Sequence, residues 1–149
     1  MPSDERSTVA SPPAWLNATV QYQGFPLALR VRPGAGTPEQ RARLSVLAIV
    51  THRFAHVRAD GMPEPDYNYG LAELDGAIIN ALETDGGVVV VIDTRGGRRN
   101  YYAYTTASAA SDAAWTAARA AHPGHALELE RRGDAAWSLF ADYRRRFKF

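Results

Sequence analysis

Val88-Val89-Val90-Val91-Ile92-Asp93-Thr94-Arg95-Gly96-Gly97-Arg98-Arg99-Asn100-Tyr101-Tyr102-Ala103-Tyr104-Thr105-Thr106 is the stretch whose reading decides the fold. Residues 88 to 92 are all β-branched, and such side chains lose χ1 freedom in a helix but pack well on a pleated surface. Asp93 to Gly97 supplies a turn, and Arg98 to Thr106 returns as the second strand of a hairpin. The centre of the chain is therefore an antiparallel pair, and the flanks decide what kind of sheet it joins.

Upstream, Leu71, Leu74, Ile78 and Leu82 recur at spacings of three and four and mark a helix ending before Asp85-Gly86-Gly87. Before it, Leu44 to Val50 is apolar on both parities, with Leu44, Val46, Ala48 and Val50 on one side and Leu47 and Ile49 on the other. Such a strand is covered on both faces. Downstream, Ser108 and Ser111 are both candidate caps of an Ala-rich helix centred on Trp115, which runs to His122 and is stopped by Pro123-Gly124. Leu127 and Leu129 alternate with Glu128 and Glu130 in a half-buried strand. Asp134 then caps a last helix with Trp137, Phe140, Arg144 and Phe147 on one stripe.

Farther out, Val20 and Tyr22, the turn Gln23-Gly24, and Leu27, Leu29 and Val31 read as an additional hairpin. Pro33 to Pro38 breaks the chain, and Glu39 to Arg43 forms one helical turn. The expected fold class is α+β: a ferredoxin-like split βαβ pattern, β-α-β-β-α-β, with an extra N-terminal β-hairpin and a C-terminal helix. In such a sheet two helices cover one face, yet strands 44–50 and 88–92 are apolar on both. The hairpin extends the edge, so the second face must be covered by the C-terminal helix or by a second subunit.

Composition sets the outer limits. At 149 residues, 46% hydrophobic and 22% charged, the chain has the make-up of one globular domain. The ordered domain is expected over 14–149, after a polar, Pro/Ser-rich flexible tail at 1–13. The net charge of +1 supplies no global field for nucleic acid or anionic lipid. The absence of cysteine excludes disulfides, thiolate nucleophiles and thiolate metal sites. No secretory signal and no membrane-spanning run is legible, which points to the cytoplasm.

The Thr94–Tyr104 hairpin, the helix ending in His122-Pro123, and Gly133-Asp134-Ala135-Ala136-Trp137 with Tyr143 resemble the bacterial "domain of unknown function six-nine-five" family. That family is similar in fold to the RraB group, regulators that bind and inhibit ribonuclease E. The resemblance implies a ferredoxin-like domain and no particular reaction.

Few residue constellations carry chemistry. His52 and His56, with Asp60, would share a metal ion if strand geometry persisted past Val50, but they lack the H-E-x-x-H context. His122 and His125 read as exposed turn residues. Gly34-Ala35-Gly36-Thr37-Pro38-Glu39 resembles a phosphate loop but opens no Gly-Lys-Ser/Thr helix. Asp60, Asp66, Asp75 and Asp85 are spread over loops and a helix, with Asp66 near a helix start and Asp85 at a turn, so no acid–base pair is specified. No serine lies in a nucleophile elbow. Arg131, Arg132, Arg144, Arg145, Arg146 and Lys148 form basic concentrations that suit either helix ends or an acidic partner.

The sharpest pattern is Arg98 and Arg99 preceding Tyr102 and Tyr104, which share a strand face. We take these four as the expected partner-binding residues of a non-catalytic binding or regulatory module without cofactor or metal. Its expected partner is another protein or a second copy. RNA stacking on the same hairpin is the alternative reading, and a small metal-assisted hydrolase using His52 and His56 is a third.

Overall fold

The computed structural model describes residues 14–149, and the expected tail at 1–13 lies outside the described residues. The strands are β1 (Leu16–Tyr22), β2 (Phe25–Val31), β3 (Val46–Arg53), β4 (Val88–Arg95), β5 (Arg98–Thr105) and β6 (Ala126–Gly133). The helices are α1 (Pro38–Arg43), α2 (Pro65–Tyr69), α3 (Ala72–Leu82), α4 (Ala109–Ala121) and α5 (Ser138–Phe147). All six strands form one sheet in the order β1-β2-β4-β5-β3-β6, and every pairing is antiparallel. The run β4-β5-β3-β6 has the strand order of a split βαβ unit, and the β1–β2 hairpin is added at its β4 edge.

The central hairpin differs from expectation in one respect. Its turn is only Gly96-Gly97, both at positive φ, so Asp93, Thr94 and Arg95 belong to β4 rather than to the turn. A two-residue turn with left-handed backbone matches strand twist, and glycine reaches it without steric cost. Opposite it, Gly61 lies so close that an added Cβ would come within 2.9 Å of the Gly96 nitrogen. That contact seats the 54–64 loop on the hairpin tip, with Gly97 N–H donating to the Gly61 carbonyl at 2.8 Å.

β4, buried on both sides, carries a local irregularity. The register slips between Val89 and Val91, a bulge that puts Val90 and Val91 in one cluster while Val89 and Ile92 face the other. Its polar groups are satisfied by Arg32 N–H, which donates to the Val90 carbonyl, and by Glu83, which accepts from Val89 N–H. Glu83 also pairs with the buried Arg32 guanidinium.

Two cores sandwich the sheet. On one side, here the helical face, Leu71 with Leu74, Ile78 and Leu82 of α3 and Trp115 of α4 pack on Ala48, Val50, Val89, Ile92 and Ala103. On the other, the rear face, Trp137 and Phe140 close over Leu27, Leu29, Leu47, Val88, Val90 and Tyr104. The C-terminal helix, rather than a second subunit, thus covers the second face. Leu44 and Ser45 precede β3, so Leu44 joins the rear core and not the side of Ala48 and Val50 expected from continuous alternation.

α5 is anchored by more than apolar contact. Trp137 stacks on Tyr104 with centroids 4.0 Å apart and planes 7° from parallel, and its indole N–H donates to the buried Leu44 carbonyl at 2.8 Å. Asp134 caps the helix as expected, accepting from Ser138 and Leu139 N–H, and also accepts from Tyr104 Oη at 2.7 Å. Those donors hold its carboxyl below the usual range, although burial alone would raise it. Trp137 itself adopts a left-handed backbone, φ 56°, unusual for a bulky residue and maintained by its surroundings.

Beside the stack lies a polar knot. Tyr143 Oη donates to Asp93 Oδ2 at 2.5 Å, Asn100 Nδ2 donates to Asp93 Oδ1 at 2.9 Å, and Thr51 Oγ1 donates to Asn100 Oδ1 at 2.8 Å. Burial first, and then the Asp93 charge, raise the pKa of Tyr102 to about 12 and that of Tyr143 further, so both phenols stay protonated.

Candidate binding groove

The hairpin carries β1 and β2 beyond the cover of α3, leaving the helical face open there. The result is a groove of about 530 Å³ lined by Asn17, Thr19 and Arg30 of the hairpin, Asn68 of α2, Asp75 of α3, and Thr94 and Arg99 of β4 and β5. Strand alternation explains the lining: Leu27, Leu29 and Val31 point into the rear core, so Arg30 emerges on the opposite side. In β5, Tyr102 and Tyr104 face the rear, so Arg99 and Tyr101 face the helices.

The charges within the groove are unevenly matched. Arg30 Nη2 reaches both Asp75 oxygens, at 2.7 and 2.9 Å, and Tyr101 Oη donates to Asp75 Oδ1 at 2.7 Å. Burial, followed by the neighbouring Asp75 charge, pushes the Tyr101 phenol well above its ordinary range and keeps it a donor. Arg99 is held differently: Nε donates to Thr94 Oγ1 at 2.8 Å and Nη2 donates to Asn68 Oδ1 at 2.9 Å. Both partners are neutral, and among the described residues no carboxylate pairs with Arg99. The groove therefore offers a fixed cation beside an already neutralised pair, an arrangement suited to an incoming carboxylate.

The four expected partner-binding residues are not brought together. Arg99 lines the groove, while Arg98 is half-buried on the rear side of β5. Tyr104 is fully buried in the Trp137 stack, and Tyr102 is half-buried with its ring 5.4 Å from Tyr143. The strand face that would have stacked bases is roofed by α5.

The histidines also part company. His52 is buried on the helical face, 5.4 Å from the His125 ring and 5.2 Å from Phe54, with neither ring nitrogen hydrogen-bonded. Burial, then His125 and Arg99, lowers its pKa to about 4. His56 lies beyond the end of β3 against Tyr67, and Asp60 pairs with Arg58 at 2.9 Å. Among the described residues no three histidine or carboxylate side chains converge on a metal position. His122 and His125 are half-buried rather than exposed.

The remaining candidates have structural employment. Gly36 N–H donates to the Gln40 side chain in the capping box of α1, Asp66 lies in the first turn of α2, and Asp85 sits in a 3₁₀ turn. Arg131 pairs with Asp112, Arg132 lies 3.8 Å from Glu130, Arg145 and Arg146 pair with Asp142, and Arg144 donates to the Pro33 carbonyl. No described helix is long and apolar enough to cross a membrane.

No curated protein and no solved structure matches the chain. A family described as "Family of unknown function (DUF695)" matches residues 13–144, nearly the whole of the fold described above. Its reach from the hairpin to the C-terminal helix agrees with the resemblance read from the Thr94–Tyr104 and Gly133–Trp137 segments, and the chain belongs to this family.

Proposed function

We propose that this protein is a non-catalytic binding module that receives an acidic segment of a protein partner in the groove between the N-terminal hairpin and α3. The observation that supports this reading is Arg99, fixed by two neutral acceptors and lacking an acidic partner among the described residues. Next to it, Asp75 is engaged by Arg30 and Tyr101, so the groove has little free negative charge to repel a carboxylate. Tyr102 and Tyr104 contribute by supporting the strand that carries Arg99, and Arg98 lies outside the contact.

Titration of the ¹⁵N-labelled protein with a blocked Glu-Asp-rich decapeptide tests the proposal. The expected result is a shift of the Asn17, Asn68, Thr94 and Arg99 resonances, with affinity weakened about tenfold or more in Arg99→Gln. Shifts centred on the Arg131 or Arg145 surfaces, or an unchanged affinity in Arg99→Gln, would overturn it. A single-stranded RNA oligonucleotide binding in preference to the peptide, with steep salt dependence, would transfer the function to nucleic acid.

A further inference from the structure

The two edges of the sheet are built differently. β6 carries Glu128, Glu130, Arg131 and Arg132, and its ion pairs include Arg53–Glu128 and Arg131–Asp112. Charges along an edge discourage pairing with another strand. β1, at the opposite edge, reads Leu16-Asn17-Ala18-Thr19-Val20-Gln21-Tyr22, with no charge, proline or glycine. Its register against β2 is unbroken from Leu16↔Val31 to Tyr22↔Phe25, so no bulge twists it away, and Leu16 to Thr19 are exposed.

The direction of its free backbone groups follows from the Gln23-Gly24 turn, where both residues have positive φ. A two-residue turn of that kind makes Tyr22↔Phe25 a hydrogen-bonded pair, and hydrogen-bonded and non-hydrogen-bonded pairs alternate from there. Asn17, Thr19 and Gln21 then direct their N–H and C=O groups outward. The pairing of Gln21 with Pro26, which has no N–H to donate, agrees with this assignment.

We propose that β1 pairs antiparallel with β1 of a second copy of this chain, across a two-fold axis at Thr19. The occupant is identified by the strand's own sequence, because its chemistry reads alike from both ends: apolar, amide, apolar, threonine, apolar, amide, apolar. Antiparallel pairing about Thr19 sets Asn17 against Gln21, Ala18 against Val20, Leu16 against Tyr22, and Thr19 against itself. About six backbone hydrogen bonds form between the copies. Only the residue on the axis meets its own copy, so a charge at position 19 would repel itself, and Thr19 carries none. Leu16, 49% exposed, gains an aromatic neighbour, and the apolar rear side of one hairpin continues into the other. On the helical side Thr19 lines the groove, so the two grooves meet at the axis. The pairing does not depend on what the groove binds.

Sedimentation velocity of the full chain from micromolar to several hundred micromolar, with Thr19→Lys and Thr19→Glu alone and mixed in equal amounts, tests the interface. The expected result is a wild-type species at twice the 16.3 kDa chain mass. Each variant alone should be monomeric with an unchanged far-ultraviolet circular dichroism spectrum, and the mixture should return to the dimer mass. A wild type that stays monomeric throughout, a Thr19→Lys protein that still dimerises, or a folded mixture that fails to reassociate would each overturn the proposal.

Discussion

The helical face is closed by two helices whose contribution is mainly aliphatic, Leu74, Ile78 and Leu82 with a single Trp115, and a histidine without a hydrogen bond sits within its polar margin. The rear face is closed by one helix, through Phe140 and through rings tied to polar partners, Trp137 to the Leu44 carbonyl and Tyr143 to Asp93, with Tyr104 beneath them bonded to Asp134. Area spread over many residues dominates on the first face, where Asp75, bonded to Tyr101 and Arg30, is the polar tie between α3 and the sheet. A lone amphipathic helix has less area to offer, and directional bonds compensate by fixing its register on the sheet. The difference predicts unequal sensitivity to mutation and to pH.

The largest effect is expected at the stack. Trp137→Ala removes a fully buried indole together with its bond to the Leu44 carbonyl, and should cost about 3–5 kcal/mol in urea denaturation. A loss similar to that of a single leucine truncation on the helical face would mean that the rear helix is no more dependent on its anchors than α3 is.

An intermediate effect separates the faces by acid. His52 has a folded pKa of about 4 against an ordinary value of 6.5, so between those values the unfolded chain binds a proton that the folded chain does not. Stability is then complete above about pH 6.5 and falls as the pH drops toward 4, by up to about 3 kcal/mol. The charged and titratable groups acting on His52 are His125, Arg99 and Asp75, and the last opposes the shift. Denaturation of His52→Leu across this window should show a flattened pH dependence, and an unaltered slope would place the acid sensitivity elsewhere.

The smallest effect concerns the polar knot. Tyr143→Phe leaves the ring contacts with Tyr102 and Phe147 but deprives Asp93 of its shortest hydrogen bond, and should cost about 1–2 kcal/mol. A neutral result in thermal denaturation would reduce the knot to packing and leave the Trp137 stack as the main anchor of α5.

Much of the architecture was legible because it rests on periodicity. The split pattern, the added hairpin at the edge, the Ser108 and Asp134 caps and the burial of Trp137 and Phe140 all follow from spacing and cap chemistry. The bulge at Val89–Val91 was not legible, since an unbroken run of β-branched residues gives no sign of where the register slips. Asp93 read as the start of a turn running to Gly96-Gly97, because Asp is common in turns; only the partners Asn100 and Tyr143 account for it inside a strand.

The groove was visible only in part. Arg99 stood out in the hairpin, but Arg30, Asn68 and Asp75 come from segments far apart in the chain, and pairing across the sheet is what assembles them. Tyr101 was passed over for its neighbours because Tyr102 and Tyr104 share a parity that suggested a binding face, whereas α5 makes that face interior. The meeting of His52 with His125 likewise depends on the β3–β6 register, which no local spacing encodes.

The position of α5 in the chain bears on how the protein is made. Residues 134–147 leave the ribosome after all six strands, so Val88, Val90 and Tyr104 have no lid while the sheet is being completed. Until those residues emerge, the nascent sheet has an oily flank, and Trp137 with Phe140 supplies the cover when it arrives.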